Sequence, residues 1–196
     1  METIRAFIAI DIGDGIRHRL DGLQRKLKKT HAEVRWVKPA NIHLTLAFLG
    51  DINAGQVDPL EKALADALQG TKPFEFQAEG IGFFGKPSRP RVIWAGMAAC
   101  PPLVEVQRRT VRAVESVGIQ LDGKPFAPHL TLGRVKGPGH TESLMQKIEK
   151  YKAVELGLTL VQSVELIQST LTPCGAEYKT FKRVPLSQAG PSPAGK

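Results

Sequence analysis

The sequence predicts an α+β fold built from two similar lobes that face each other. The tetrapeptide His-Leu-Thr-Leu occurs twice, at residues 43–46 and 129–132, with 86 residues separating the two histidines (129 − 43). A strand, an amphipathic helix and a loop precede each copy, so the order of elements repeats. No glycine-rich phosphate loop opens either helix, which argues against a doubly wound parallel sheet.

The first half of the chain alternates strands and helices. Apolar runs predict strands at residues 4–11, 34–37, 42–49 and 74–81. Asp14 is a plausible cap for a first helix, whose apolar residues repeat every three or four positions. A second helix is predicted at residues 57–68, and Gly50 is expected to end the strand that carries the first motif.

The second half repeats this order after a loop predicted at residues 85–90. A strand is predicted at residues 91–97 and another, carrying the second motif, at 128–135. A further helix is predicted near residues 142–151, followed by β-rich sequence at 156–184 with a turn at 172–175. Between the two predicted strands lies a helical stripe formed by Leu103, Val106, Val111, Val114 and Val117.

Composition limits the classes of protein to consider. The formal charge of +8 and pI near 9.7 favour polyanionic partners such as nucleic acid, although many basic proteins bind none. Cys100 and Cys174 have neither metal-ligand spacing nor a disulfide-rich setting, so we expect free thiols. The N-terminal apolar run is short and contains Arg5, so we expect a soluble, cytoplasmic protein. One bilobal domain is expected at residues 1–186, with a mobile tail at 187–196.

The two motifs carry residues suited to acid–base chemistry. On a strand, His43 and Thr45 project to one face while their leucines point to the other, and His129 and Thr131 do the same. Metal-independent hydrolysis of a phosphodiester needs one group to take a proton from water and another to protonate the leaving oxygen. Because a free imidazole titrates near pH 6.5, one neutral and one charged histidine can coexist. Threonine hydroxyls can donate to the non-bridging phosphate oxygens.

A structural role for the motifs must also be considered. A single His-x-Thr in a strand is more often a hydrogen-bonded packing feature than a catalyst. Two identical copies in register with a wider repeat favour a shared site instead. The remaining alternative is a duplicated binding lobe without catalysis.

Several segments together resemble a known family. They are the two motifs, the opening residues 5–10, the Phe48-Leu49-Gly50 and Gly133-Arg134-Val135 that follow the motifs, and the residues 89–92 that open the second half. These segments are similar to those of the two-histidine phosphoesterases and, within them, of the bacterial and archaeal 2′-5′ RNA ligase family. The resemblance extends from Arg5 to about Leu186.

The resemblance implies a fold, a reaction and roles for individual residues. Each lobe would be a mainly antiparallel sheet with helices outside, facing a central cleft. The reaction would be hydrolysis of a terminal RNA 2′,3′-cyclic phosphate to a 2′-phosphate, without metal or other cofactor. His43 would donate a proton to the leaving 3′-oxygen, His129 would activate water, and Thr45 and Thr131 would hold the phosphate. Arg134 matches a position near the phosphate, but strict alternation from His129 puts it on the opposite face, so it would need a bulge or a strand end to reach the site.

Partners and direction of reaction stay open at this point. The expected partner is RNA, either tRNA fragments or oligoribonucleotides with cyclic-phosphate ends, bound by a monomer with no membrane association. Ligation of tRNA halves, the reverse reaction, is one alternative, and non-catalytic binding of RNA ends is another.

Other residues have both a structural and a functional interpretation. Lys86, Arg89 and Arg91 bracket the join between the lobes and could follow a phosphate backbone into the cleft. We expect core packing for Phe7 and Phe126, although either could stack on a base. The remaining candidates are interpreted as surface groups: the histidines His18, His31 and His140, and the basic run at residues 25–29.

Overall fold

The computed structural model describes residues 2–173 and 175–187. Within them the chain forms four α-helices and nine strands that join in one sheet, and every strand pair is antiparallel. Cys174 and most of the expected tail, residues 188–196, lie outside the described residues. The strands are β1 (Thr3–Ile10), β2 (Val34–Trp36), β3 (Leu44–Asn53), β4 (Phe74–Lys86), β5 (Arg89–Met97), β6 (Leu130–Val135), β7 (Glu155–Val161), β8 (Ser163–Thr172) and β9 (Gly175–Pro185).

The sheet has two halves that meet at its centre. The strand order is β7-β4-β5-β6-β3-β1-β8-β9, with β2 paired to β6. β3 and β6, which follow the two motifs, are the central neighbours, and they pair through Leu44 and Leu130. The expected α+β fold with two mainly antiparallel halves is therefore confirmed.

Four helices bury their apolar stripes against this sheet and each other. They are α1 (Gly13–Lys28), α2 (Val57–Leu68), α3 (Pro101–Ser116) and α4 (Thr141–Lys150). α1 packs on β7 and α4, whereas α2 and α3 pack together, with α3 against β3 and α2 against β9. The buried residues of α1 repeat every three or four positions as predicted, because that spacing keeps them on one face. In α3 the predicted Val111 is only partly buried and lines a surface cavity.

Several of the predicted boundaries are wrong. Asp14, predicted as the cap of the first helix, lies in the first turn of α1, whose N-cap residue is Ile12. Gly50 does not end β3, which continues to Asn53, because a glycine at φ +69° allows a local irregularity without stopping the pairing with β1. The loop predicted at residues 85–90 is a hairpin in which only Pro87 and Ser88 are unpaired. Gly85, at φ +113°, supports the register shift that keeps β4 and β5 paired to this turn.

Equivalent bulges lie at the last residue of each motif. In β3, Thr45 pairs with Ala9 and Ala47 with Ile8, so Leu46 is the extra residue. In β6, Thr131 pairs with Trp94 and Gly133 with Ile93, so Leu132 is the extra residue. A bulge reverses the alternation of side chains beyond it. The residues at positions 48 and 134 therefore face the same side of the sheet as the histidines.

Candidate active site

The central strand pair brings the two motifs together. Leu44 and Leu130 are opposite each other, and both are fully buried on the helix side. Each histidine is the residue just before its strand, because β3 and β6 begin two residues later than the predicted starts at residues 42 and 128. Continuing the antiparallel register by one residue sets His43 beside Thr131 and His129 beside Thr45. Diagonal neighbours on one face of such a pair lie roughly 7–8 Å apart.

Both imidazoles are oriented by the same main-chain contact. Nδ1 of His43 lies 2.8 Å from the carbonyl oxygen of Asn41, and Nδ1 of His129 lies 2.7 Å from that of Ala127. Since a carbonyl oxygen only accepts, each Nδ1 carries the proton and donates. Each Nε2 is therefore the atom left for proton exchange with a bound molecule.

Aromatic rings enclose the two histidines differently. Phe7 stacks on His43 with 4.5 Å between ring centroids, and Tyr178 meets the same imidazole edge-on at 5.3 Å. His129 meets only one described ring, that of Phe84, edge-on at 4.9 Å. The side chain of Phe7 is buried, as expected from the sequence, but its partner is the imidazole. Phe126 is half-buried and packs against the core.

Burial changes the acidity of His43. It lowers the pKa of the imidazole from 6.5 to about 4, because removal from water disfavours the charged form. The hydrogen bond to Asn41 and the carboxylate of Asp11 oppose this shift, while the positive charge of His129 adds to it. That interaction shows that the two imidazoles are within electrostatic reach of each other. In the free protein His43 is neutral at pH 7.

Two cavities adjoin the histidines. One, of about 590 Å³, is lined by His43, Phe7 and Tyr178. Five cationic residues also line it: Arg5, Arg35, Lys38, Arg134 and Lys136. The other, of about 740 Å³, is lined by His129, Thr45, Phe84 and the outer face of α3. Phe48, 65 % exposed, lines both cavities and lies at the position in β3 that corresponds to Arg134 in β6.

Arg134 lines the same cavity as His43 because of the bulge at Leu132. Gln24 of α1 is fully buried, and its amide nitrogen donates to the carbonyl oxygens of Leu132 and Val37 at 2.9 and 2.8 Å. The main-chain N–H of Val37 also donates to Leu132 at 2.9 Å. A side chain at Gly133 would collide with Val34 of β2. Glycine at this position therefore allows β2 to approach the bulge closely. The bulge that Arg134 needs to reach the histidine face of the sheet is therefore present in β6.

Some residues of the site lie outside the motifs, and the sequence analysis did not identify them. Tyr178 comes from β9, and Asn41 from the short 3-10 helix before β3. The side chain of Asn41 donates to the carbonyl oxygen of Ala176 at 2.8 Å, which ties the β8–β9 hairpin to the residue that orients His43. The 86-residue spacing of the two histidines aligns Asn41 with Ala127, but this alignment alone does not indicate a function for Asn41.

Among residues 2–173 and 175–187, no group of three or more His, Cys, Asp or Glu side chains is arranged to hold a metal ion. His31 and His140 lie near each other, with ring centroids 6.5 Å apart.

No α-helix in residues 2–173 and 175–187 is long and apolar enough to cross a membrane.

Comparisons with known proteins agree with this geometry. Residues 10–94 match the model of the LigT-like phosphoesterase family. The RNA 2′,3′-cyclic phosphodiesterase of Methanothermobacter thermautotrophicus is 37 % identical over 175 residues, which are 89 % of this chain and 95 % of that protein. The protein of the same name from Archaeoglobus fulgidus is 32 % identical, over 91 % of this chain and 98 % of its own.

Solved structures extend the similarity to the whole fold. TT0787 of Thermus thermophilus superposes with a TM-score of 0.80 at 26 % identity, covering 96 % of this chain and all of that one. LigT of Escherichia coli in complex with 3′-AMP gives a TM-score of 0.76 at 27 % identity, covering 95 % of this chain and all of its own.

Proposed function

The chain belongs to the LigT-like phosphoesterase family, and on that basis we propose that it hydrolyses terminal RNA 2′,3′-cyclic phosphates to 2′-phosphates. The observation that carries the proposal is the pair of imidazoles at the adjoining starts of β3 and β6, where each Nδ1 donates to a main-chain carbonyl and neither Nε2 has a hydrogen-bond partner among the described residues. The names of the relatives support the substrate class.

The reaction needs no more than two proton transfers. His129 takes a proton from water at Nε2 as the water oxygen bonds to phosphorus. The bond from phosphorus to the ribose 3′-oxygen breaks, and His43 gives its Nε2 proton to that oxygen. The product carries a 2′-phosphate and a free 3′-hydroxyl, and one proton has passed from His43 to product and one from water to His129.

The lowered pKa of His43 constrains this assignment. An acid must be protonated, and the free protein disfavours a proton on this buried ring. A bound phosphate brings a negative charge to the imidazole, which favours the protonated form because opposite charges attract. The reverse assignment, with His43 as base and His129 as acid, uses the neutral ring directly.

Hydroxyl and guanidinium groups are placed to hold the phosphate. Thr45 and Thr131 are half-buried beside the histidines, and each can donate to a non-bridging oxygen, where charge develops in the transition state. Arg134 is exposed, lines the His43 cavity and can pair with the same phosphate. The expected substrates are tRNA fragments or oligoribonucleotides, bound by a monomer.

The test is hydrolysis of an oligoribonucleotide with a 2′,3′-cyclic phosphate end in excess EDTA, followed by ³¹P NMR. We expect the cyclic phosphate signal to be replaced by that of a 2′-phosphate at the same rate with and without chelator. A 3′-phosphate product, or turnover only after a divalent metal is added, would contradict the proposal. Binding without turnover would favour the non-catalytic alternative. Joining of a 5′-hydroxyl RNA to the cyclic end in the same assay would reveal the reverse reaction.

A further inference from the structure

A second basic cavity lies at the turn between β4 and β5. Its volume is about 1030 Å³, and it extends from that turn to the end of β6 and the first residue of α4. Four exposed cationic residues line it: Lys86, Arg89, Arg91 and Lys136. Within the described part of the chain, none of the four forms an ion pair or a side-chain hydrogen bond. Their charges are therefore available to a bound molecule.

The cavities differ in how their cations are compensated. The cavity beside His129 contains Glu115 and Asp122, and its Arg108 and Lys124 are ion-paired. A fourth cavity, beside α4, contains Glu79 and Glu149, and its Lys152 pairs with Glu149. Among the described lining residues, the His43 cavity and the cavity at the β4–β5 turn have no carboxylate.

The two uncompensated cavities are neighbours. Lys136 lines both of them, since it follows Arg134 and Val135 at the end of β6. The carboxylate of Glu33 fills the space where side chains at Gly137 and Gly139 would project, so it reduces the positive potential from one side. Together the two cavities have eight Lys and Arg residues: Arg5, Arg35, Lys38, Lys86, Arg89, Arg91, Arg134 and Lys136.

One cyclic phosphate has one negative charge, which a single guanidinium can neutralise. Eight cations in adjoining cavities, with the carboxylate of Glu33 beside one of them, exceed what that group requires, and several lie away from the histidines. A single RNA strand carries one backbone phosphate per nucleotide, and cationic grooves that follow such strands are a general mode of binding. A single-stranded RNA can extend from one cavity past Lys136 into the other, with its backbone phosphates near the cations of both.

We propose that the cavity at the β4–β5 turn is a subsite for backbone phosphates of single-stranded RNA on the 5′ side of the cyclised nucleotide. The inference rests on the function proposed above and adds a preference for oligoribonucleotides over mononucleotides. Lys86, Arg89 and Arg91 hold these phosphates by charge, without reading the bases.

The experiment compares the native protein with the triple variant Lys86→Gln, Arg89→Gln, Arg91→Gln. kcat/KM for a 2′,3′-cyclic mononucleotide is expected to stay within about twofold, since the histidines and Arg134 are untouched. For a cyclic-ended decaribonucleotide at low salt we expect a fall of about tenfold or more. Binding of a fluorescent decaribonucleotide with a 2′-phosphate end should lose about 2 units of log–log salt slope, at roughly 0.7 per phosphate contact.

A matched control removes three charges elsewhere. Lys62→Gln, Lys72→Gln, Lys150→Gln changes exposed lysines that line none of these four cavities, and it should leave the slope nearly unchanged. Equal losses on mononucleotide and decaribonucleotide, or a slope change no larger than that of the control, would overturn the subsite. If the triple variant misfolds, the three single Gln variants replace it, and each is expected to lower the log–log salt slope of binding by about 0.7. If the native protein hydrolyses neither substrate, the proposed function fails while the binding measurement still tests the subsite.

Discussion

The ring of Phe7 stacks on the imidazole of His43, with 4.5 Å between centroids and 23° between ring planes. Ala9, two residues further along β1 and therefore on the same face as Phe7, is opposite Thr45 in β3. The stacked ring of Phe7 and the edge-on ring of Tyr178 both contact His43 and contribute to its burial, and burial is the main cause of its low pKa.

Opening this enclosure should raise the pKa of His43. In Phe7→Ala we expect it to move from about 4 towards 6.5, because water then solvates the imidazolium. Phe7→Leu, which keeps apolar bulk, should change it less. Histidine NMR titration measures both. Since truncating a buried Phe costs about 3–5 kcal/mol, Tyr178→Leu is a milder second variant that should move the pKa in the same direction. An unchanged pKa in all three variants would mean that the rings do not exclude water.

Stability should fall with acid between the two pKa values of His43. The folded pKa, about 4, lies below the unfolded value of 6.5, so the unfolded state binds the proton first as the pH drops. The contribution is fully present above pH 6.5 and is lost as the pH falls to about 4, by at most about 3–4 kcal/mol at 1.36 kcal/mol per pKa unit. Urea unfolding at several pH values measures it, and His43→Gln should lose less stability over this window than the native protein.

A substrate with a better leaving group should show which of the two histidines acts as the acid and which as the base. With sulfur replacing the 3′-oxygen of the cyclic phosphate, the leaving group needs no protonation. If His43 is the acid, His43→Ala should lose about 10²–10⁴ in kcat on the oxygen substrate and recover most of it on the sulfur substrate. His129→Ala should stay slow on both. Recovery by His129→Ala instead would establish the reverse assignment.

Removing the side chain of Asn41 should make the orientation of the His43 imidazole less fixed, since the main chain of Asn41 orients that ring. Asn41→Ala and Asn41→Asp both lose the donor to Ala176 while keeping the carbonyl that accepts from His43. We expect a fall of about 2–10-fold in kcat, the equivalent of one hydrogen bond of about 0.5–1.5 kcal/mol, and a change in the pKa of His43. An exposed substitution such as Gln146→Ala is the control. A change in thermal stability with unaltered kcat and pKa would reduce Asn41 to a structural role.

Gln24 should be important for both stability and the placement of Arg134. In Gln24→Leu the carbonyl oxygen of Val37 loses its side-chain donor, and that of Leu132 keeps only the N–H of Val37. A buried carbonyl left unsatisfied costs about 1–3 kcal/mol, an upper bound for the partly buried carbonyl of Val37, and urea unfolding should detect the loss, whereas the exposed Gln146→Leu should have little effect. KM should also rise, because the bulge that orients Arg134 is less well held. An unchanged KM would show that the bulge persists without Gln24.

The internal repeat itself is only partly visible in the sequence. The 86-residue spacing relates the histidines, the threonines and the two bulges. It fails for the opening strands, where Phe7 is opposite Phe48 and Val92 is opposite Arg134, a spacing of 85 (92 − 7). Arg5 and Arg91 are also 86 residues apart, but they are one residue out of register with this strand pairing, because pairing depends on the partner strand and not on position in the chain.

The sequence by itself determined the helices, most of the strands and the exposure pattern of each motif. These features follow from local periodicity, since alternate residues of a strand face opposite sides whatever surrounds them. Only the tertiary structure decided that Leu132 is an extra residue, that Arg134 therefore shares a cavity with His43, and that Phe7, Tyr178 and Asn41 surround this imidazole. Those relationships join residues far apart in the chain. They arise from strand register and packing, which local patterns do not encode.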